Sequence, residues 1–304
     1  MIPSEPRRIL FLHSGGLGDG ILSLPAVYSI RSAFPEATIT LIGHPERWRW
    51  IHPSPFEKIL PLEQMSLQRL FILSGDIPPA LATLFREQHL VISWHGNAAF
   101  EKNLHSLVRG TLLFHPFHPS TLKVHASDFF LDTLRSLDIP QIREIPSLEA
   151  PPVRDLLPED ARSMVIIHPG SGSPKKCWAP GNFARLAEGM EHLRNRSCRF
   201  LIGEADRWIL EDPLFRAAGM ERVLLRDLSL PSVAAVLKNA IAYVGNDSGI
   251  SHMAAALQVP SVVLFMTTEP RIWRPLGDHV RVLHKPVEEM TVGTVLNGLE
   301  RILS

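Results

Sequence analysis

Residues 8–34 read RILFLHSGGLGDGILSLPAVYSIRSAF, and their reading decides the fold. An apolar run (RILFLHS, 8–14) meets a glycine-rich turn (GGLGDG, 15–20). A segment of helical character follows, from about Ile21 to Phe34, and then a second apolar run, ATITLIG (37–43). Short apolar runs alternating with helical segments mark βαβ units and a parallel sheet. A glycine-rich turn between strand and helix usually cradles a phosphate, yet Asp19 puts a carboxylate where that phosphate would sit. The turn is not G-x-G-x-x-G, because Ser23 stands three residues after Gly20, and it lacks the Gly-Lys-Ser/Thr of a P-loop. On local pattern alone Asp19 reads as an N-terminal helix cap.

The alternation continues outward. LVISWHG (90–96), a segment near TLLFHPF (111–117) and the amphipathic SDFFLDTLRSLD (127–138) extend the first half. LEAPPVRDLLPED (148–160) is rich in proline and charge and has no clear period, so it is expected to be the interdomain linker. The pattern then restarts with strand candidates MVIIHPG (164–170), CRFLIG (198–203), RVLLRDL (222–228), AIAYVGN (240–246) and PSVVLF (260–265). Helices are expected in PGNFARLAEGMEHLR (180–194), around 207–218, in PSVAAVLKNA (231–240), in GISHMAAALQV (249–259) and in TVGTVLNGLERILS (291–304). Two Rossmann-like domains follow, 1–152 and 153–304, with their ligands outside the C-terminal strand ends. The closing helix, 290–304, is expected to return to the first domain.

Bulk composition excludes several classes. Lys+Arg and Asp+Glu are equal at 31 each, without the basic excess of a general nucleic-acid binder. The two cysteines, Cys177 and Cys198, have no metal-ligand spacing and imply no disulfide framework, which fits a reducing cytosol. The N-terminus reads as a first strand rather than a signal peptide. No apolar run reaches the roughly 18 residues of a membrane span.

Three loops of the second half carry chemistry. In HPGSGSPKKCW (168–178), Gly170 and Gly172 free the backbone, Ser171 and Ser173 offer hydroxyls, and Lys175 and Lys176 offer charge. That mixture suits a phosphate or pyrophosphate, or else is a solvated basic loop; Trp178 reads as a packing residue. In VGNDSGISHMAAAL (244–257) a strand ends at capping residues and a helix opens, its free N–H groups and dipole making an anion site. Ser248, Gly249 and Ser251 are the donors there. Asp247 would repel an anion unless it caps, orients a loop or meets a cation, and His252 is either a packing residue or a donor to a pyrophosphate. In LIGEADRW (201–208), Glu204 is either a ribose ligand or a helix N-terminal acid.

Together these segments resemble glycosyltransferase family nine, the ADP-heptose:lipopolysaccharide heptosyltransferases. The resemblance rests on GDGILSLPA (18–26) with FPEATITLIG (34–43), on HPGSGSPKKCW, on VGNDSGISHMAAAL with PSVVLF, and on VHASDFFLDTLRSLDIP (124–140). It implies an α/β GT-B architecture: two Rossmann-like parallel-sheet domains facing a central cleft, acceptor on the N-terminal one and nucleotide sugar on the C-terminal one. By this resemblance Asp19 matches the general base of an inverting transfer and Lys176 a lysine near the donor phosphates. Asp247, Ser248, Gly249 and His252 match the donor motif, and Glu204 the ribose contact. Where the family commonly has F-G-P-T-D-P, this chain has FMTTEP (265–270), which lacks the glycine.

The donor site is therefore expected from Ser171, Gly172, Lys175, Glu204, Asp247, Ser248, Gly249 and His252, with Asp19 and Lys176 catalytic. The implied acceptor is an anionic glycolipid, the lipopolysaccharide core. Gly18, Arg47, Arg49, His95, Lys102 and His118 are the candidates to face it. In ERWRWIHP (46–53), Arg47 and Arg49 alternate with Trp48 and Trp50, which suits either an interfacial, sugar-stacking surface or a buried tryptophan pair. ADP-heptose is the favoured donor. No resident metal is expected, with Mg²⁺ only as a companion of the donor diphosphate. The implied location is cytoplasmic, with at most transient contact at the inner face of the inner membrane. Two other readings share the donor loops: a GT-B enzyme of another donor, acceptor or reaction, such as an epimerase, and a non-catalytic nucleotide-sugar binder.

Overall fold

The computed structural model describes residues 6–73, 76–118, 121–144, 148–150, 164–194 and 196–304. The chain divides into two compact units, Met1–Arg49 with Pro53–Ile145, and Trp50–His52 with Pro146–Ser304. Most of the expected linker, 151–160, lies outside the described residues. At its start Leu148 is fully buried, and Glu149 N–H donates to His52 O at 2.8 Å within the second unit.

In the first unit the elements run β1 (Arg8–Leu12), α1 (Leu17–Ala33), β2 (Thr38–Gly43), α2 (Pro45–Trp48), β3 (Lys58–Pro61), α3 (Pro79–Arg86), β4 (Leu90–Ser93), α4 (Ala98–Leu107), β5 (Thr111–Phe114) and α5 (Ala126–Asp132). The strands form one parallel sheet in the order β3-β2-β1-β4-β5. β1 is central: Ile9, Leu10, Phe11 and Leu12 are completely buried, as a strand covered on both faces requires. Helix α1 starts four residues earlier than its apolar pattern suggests, because Gly16 is its N-cap and Leu17–Gly20 form its first turn. Sequence patterning misses β3, α2, α3 and α4, and for two of these the reason is clear. β3 is four residues long and ends in proline, and α4 hides its buried Phe100, Leu104 and Leu107 among the charged and polar Glu101, Lys102, Asn103 and His105.

The second unit runs β6 (Met164–His168), α6 (Pro180–Arg194), β7 (Ser197–Ile202), a 3₁₀ segment (Glu204–Glu211), α7 (Pro213–Ala217), β8 (Leu224–Arg226), α8 (Leu230–Asn239), β9 (Ala242–Asn246), α9 (Gly249–Ala256), β10 (Ser261–Phe265), α10 (Pro270–Trp273), β11 (Val280–His284) and α11 (Val292–Leu303). Its sheet is parallel throughout, in the order β11-β10-β9-β6-β7-β8. Helix α11 packs on β9, β10, β11 and α6, with Val295 and Leu299 completely buried. Its apolar face is spent on the sheet of its own unit.

Both strand orders contain a switch point where the connections reverse direction. It lies between β1 and β4 in the first unit and between β6 and β9 in the second. Open α/β sheets bind ligands beyond the carboxyl ends of the strands at such points. The expected loops follow these strands: the 15–20 turn follows β1, the 169–178 loop follows β6, and the 247–249 turn follows β9.

Candidate functional site

At the second switch point the loops after β6 and β9 are tied together. Asn246, fully buried, accepts from the Trp178 N–H at 3.0 Å through Oδ1 and donates from Nδ2 to Pro169 O at 2.7 Å. Trp178 is buried as a packing residue, its indole N–H donating to Met290 O at 2.9 Å. Ser171 Oγ donates to Asp247 O at 2.7 Å. The Asp247 carboxylate is buried, and its Oδ2 accepts from Lys176 Nζ at 3.2 Å and from Thr268 Oγ1 at 2.7 Å. Of the roles open to Asp247, the structure holds two, meeting a cation in Lys176 and tying the 265–270 loop through Thr268; the cap belongs to Ser248, whose Oγ accepts from Ser251 N–H at 3.4 Å.

A buried polar chain backs this turn. His168, the last residue of β6, has Nε2 3.2 Å from Asp206 Oδ2 and Nδ1 3.3 Å from Ser248 Oγ. Ser251 Oγ donates to Asn246 O at 2.5 Å and lies 2.9 Å from the Tyr243 hydroxyl. Burial pushes the Tyr243 phenol above its ordinary range, so it stays protonated. Gly170 explains itself here: a Cβ at that position would run into the Asp206 carboxylate.

Ser171, Lys176, Asp247, Ser248, Gly249 and His252 thus converge on the β6/β9 switch point, His252 buried in the first turn of α9. Lys175, Gly172 and Glu204 are exposed, Glu204 opening the 3₁₀ segment after β7, and none of them enters the hydrogen-bonded cluster around Asp247. His168, Asp206 and Thr268 were missed as site residues. His168 sat inside the quoted loop, and the Gly203-x-x-Asp206 spacing was available as a capping signal. Thr268 belongs to FMTTEP: without the family's glycine, this loop gives Asp247 a hydroxyl donor, and its Glu269 caps α10 by accepting from Arg271 N–H at 3.0 Å.

The first switch point holds the carboxylate of the opening turn. Asp19 is the third residue of α1, and its Oδ2 accepts from the N-cap Gly16 N–H at 2.8 Å. Arg47 Nη1 donates to Gly15 O at 2.6 Å, and Ser14 Oγ bridges to His95 Nδ1 at 2.7 Å, joining the ends of β1 and β4. His44 sits at the end of β2 with Nδ1 2.8 Å from Glu63. Of the acceptor candidates, Gly18, Arg47 and His95 belong to this cluster. Arg49 and His118 are exposed and Lys102 lies on the exposed face of α4, with no contact to it among the described interactions. Trp48 and Trp50 are both buried, so the buried-pair reading of ERWRWIHP is the one observed and a stacking surface is not.

His13 lies beneath this turn, edge-on to Trp48 and Trp94, with Nδ1 accepting from Gly15 N–H at 3.2 Å. Burial first, and then the charge of Arg47, hold its pKa down to about 3. His95 is lowered in the same direction by burial and by His44. Because the folded-state value of His13 lies below the unfolded one, the unfolded chain takes up the proton more readily. The stability this contributes is complete above about pH 6.5 and is lost progressively as the pH falls toward 3. At pH 5 the loss from His13 is about 2 kcal/mol. His13→Asn, which keeps an acceptor for Gly15, is expected to show a smaller drop in Tm between pH 7 and pH 5 than the unchanged chain. An equal drop in thermal melts would show that His13 is not the group that titrates.

Among the described residues no helix is long and apolar enough to cross a membrane, and no group of three or more His, Cys, Asp or Glu is placed to hold a metal ion.

Comparison with known proteins gives the family and agrees with the fold. The family profile described as Glycosyltransferase family 9 (heptosyltransferase) matches residues 90–293, more than half of the chain. Lipopolysaccharide heptosyltransferase 3 of Escherichia coli (strain K12) is 23% identical over 188 residues, 61% of this chain and 49% of its own length. Lipopolysaccharide heptosyltransferase 1 of Pseudomonas aeruginosa is 39% identical over 108 residues, 35% of this chain and 29% of its own length. The chain therefore spans about half, or less, of the curated relatives it matches. The solved structure of E. coli heptosyltransferase WaaC with ADP shares the fold, with a TM-score of 0.73 at 20% identity, over 97% of this chain and 99% of that one. Two parallel-sheet α/β units, the components of the GT-B architecture, and the profile match lead to one conclusion: the chain belongs to glycosyltransferase family 9, the heptosyltransferase family.

Proposed function

We propose that the protein transfers a heptose-type sugar from a nucleoside-diphosphate donor, ADP-heptose in preference to others, to a hydroxyl of an anionic lipopolysaccharide-core acceptor. The observation that carries the donor half is the β6/β9 switch point, where Lys176, Ser171 and Thr268 meet on Asp247 beside the N-terminus of α9. The first amides of that helix have no intrahelical acceptor and favour an anion. Lys176 and these amides stabilise the diphosphate as it departs with growing negative charge. Neutralisation by protein groups leaves the reading without need of a resident metal; Mg²⁺ enters only with the diphosphate.

The acceptor half is assigned to the first switch point. Asp19 takes the proton of the attacking hydroxyl, and a single in-line displacement inverts the anomeric centre. Arg47 and His95, beside the same turn, are the groups for an acidic acceptor sugar. The readings as an epimerase or as a nucleotide-sugar binder separate from transfer in one series of measurements. ADP, UDP and GDP are first compared for thermal stabilisation of the protein, and the matching nucleotide sugar is then supplied with and without acceptor. The proposal expects ADP to raise Tm most and sugar to leave the donor only when acceptor is present. Conversion without acceptor would make the protein an epimerase, and stabilisation without transfer a binding protein. No stabilisation by any nucleotide would remove the donor site.

A further inference from the structure

The buried chain Asp206–His168–Ser248 ends on the N-cap of the helix assigned to the donor diphosphate. Its hydrogen positions follow from chemistry. A carboxylate only accepts, so His168 Nε2 donates to Asp206 Oδ2 across 3.2 Å. With the ring proton on Nε2, Nδ1 carries the lone pair, and the Ser248 hydroxyl is placed to donate to it across 3.3 Å. Ser251 Oγ also lies 3.2 Å from Ser248 Oγ, but it gives its own proton to Asn246 O at 2.5 Å and already accepts from the Tyr243 hydroxyl, so the imidazole nitrogen is the stronger acceptor open to the Ser248 hydroxyl. Ser248 Oγ is left as a pure acceptor, and it caps Ser251 N–H at 3.4 Å. The amides of Gly249 and Ile250, ahead of the capped one, remain for a ligand. His168, Asp206 and Ser248 are each less than a tenth exposed, so water does not supply the same bonds freely.

We propose that Asp206 and His168 are positioning residues for the donor diphosphate: by fixing the direction of the Ser248 hydroxyl they hold the cap of α9 and aim the amides of Gly249 and Ile250 at the phosphates. The inference rests on the donor-site reading above. Asp206 acts through two hydrogen bonds, to His168 and from there to Ser248, and so works on the helix cap and not on the ligand directly.

The test is a double-mutant cycle read by calorimetric titration with ADP and, separately, with adenosine. His168→Gln and Ser248→Ala are each expected to weaken ADP binding about tenfold, the cost of one disrupted buried hydrogen bond. The double variant should be no weaker than either single one, because both act on the same hydroxyl. Adenosine affinity should not change, which a general loosening of the unit would not spare. Should His168→Gln fail to fold, the isosteric Asp206→Asn takes its place in the same cycle. Additive losses, a parallel loss of adenosine, or unaltered ADP binding would each overturn the relay. Absence of ADP binding by the unchanged protein is a different failure: it removes the donor site itself, and the relay with it.

Discussion

Asp19→Asn is expected to lower the transfer rate at least a hundredfold while leaving ADP affinity and Tm unchanged. The geometry makes this variant unusually discriminating. Asp19 Oδ2 accepts from the Gly16 N–H at 2.8 Å, so the residue does cap its helix. A carboxylate offers about four lone-pair sites, and one capping bond does not exhaust them. Cap and base are therefore compatible roles rather than alternatives. An asparagine oxygen can accept the same Gly16 bond but has almost no basicity, so the substitution removes the base and keeps the cap. General-base catalysis is typically worth about 10²–10⁴-fold, which sets the expected loss. Asp19→Ala removes both roles, and it should add a stability loss of about 1 kcal/mol to the same loss of rate. Full transfer activity in Asp19→Asn, measured with saturating donor, would leave Asp19 a cap and nothing more.

The two helices that open at these sites show what a sequence discloses and what it withholds. The strand–turn–helix rhythm was legible because parallel strands buried on both faces are nearly continuous apolar runs, as RILFL and MVIIH are. The helix 180–194 was legible to the residue, since proline opens it and its periodicity is unbroken. Residue partners were not legible. Asp19 and Asp206 each stand three residues after a glycine N-cap, the same device used twice. Only the fold shows that Asp206 also reaches His168, 38 residues earlier in the chain. The acceptor candidates show the same limit: Lys102 lies on the outward face of α4, whereas His95 turns inward to Ser14, and residue type alone does not separate the two. FMTTEP was visible as a departure from the family pattern, but its consequence, a threonine hydroxyl on Asp247, depends on a pairing across 21 residues.

That pairing shapes the second large effect. Lys176→Ala is expected to weaken ADP binding about thirtyfold, within the range for a hydrogen bond to a charged group. Two causes act together. The diphosphate loses a cation, and Asp247, buried and held by Lys176 at 3.2 Å, keeps only Thr268 and turns its uncompensated charge on the incoming anion. The two causes separate in the double variant Lys176→Ala/Asp247→Asn, which removes the repulsion but not the lost attraction. If Lys176 serves only to neutralise Asp247, the double variant binds ADP as the unchanged protein does. If Lys176 also meets the diphosphate, as proposed, the double variant recovers part of the loss and remains weaker than the unchanged protein. The Lys176 side chain is about a third exposed, so its attraction is screened by salt. ADP affinity of the unchanged protein should therefore fall more steeply than that of Lys176→Ala between about 50 and about 300 mM salt, over which the Debye length shrinks from about 14 to about 6 Å. Calorimetric titrations at the two salt concentrations settle the point: unaltered affinity in Lys176→Ala takes both causes, and the lysine, out of the donor site, whereas full recovery in the double variant leaves the lysine as the counter-charge of Asp247 alone.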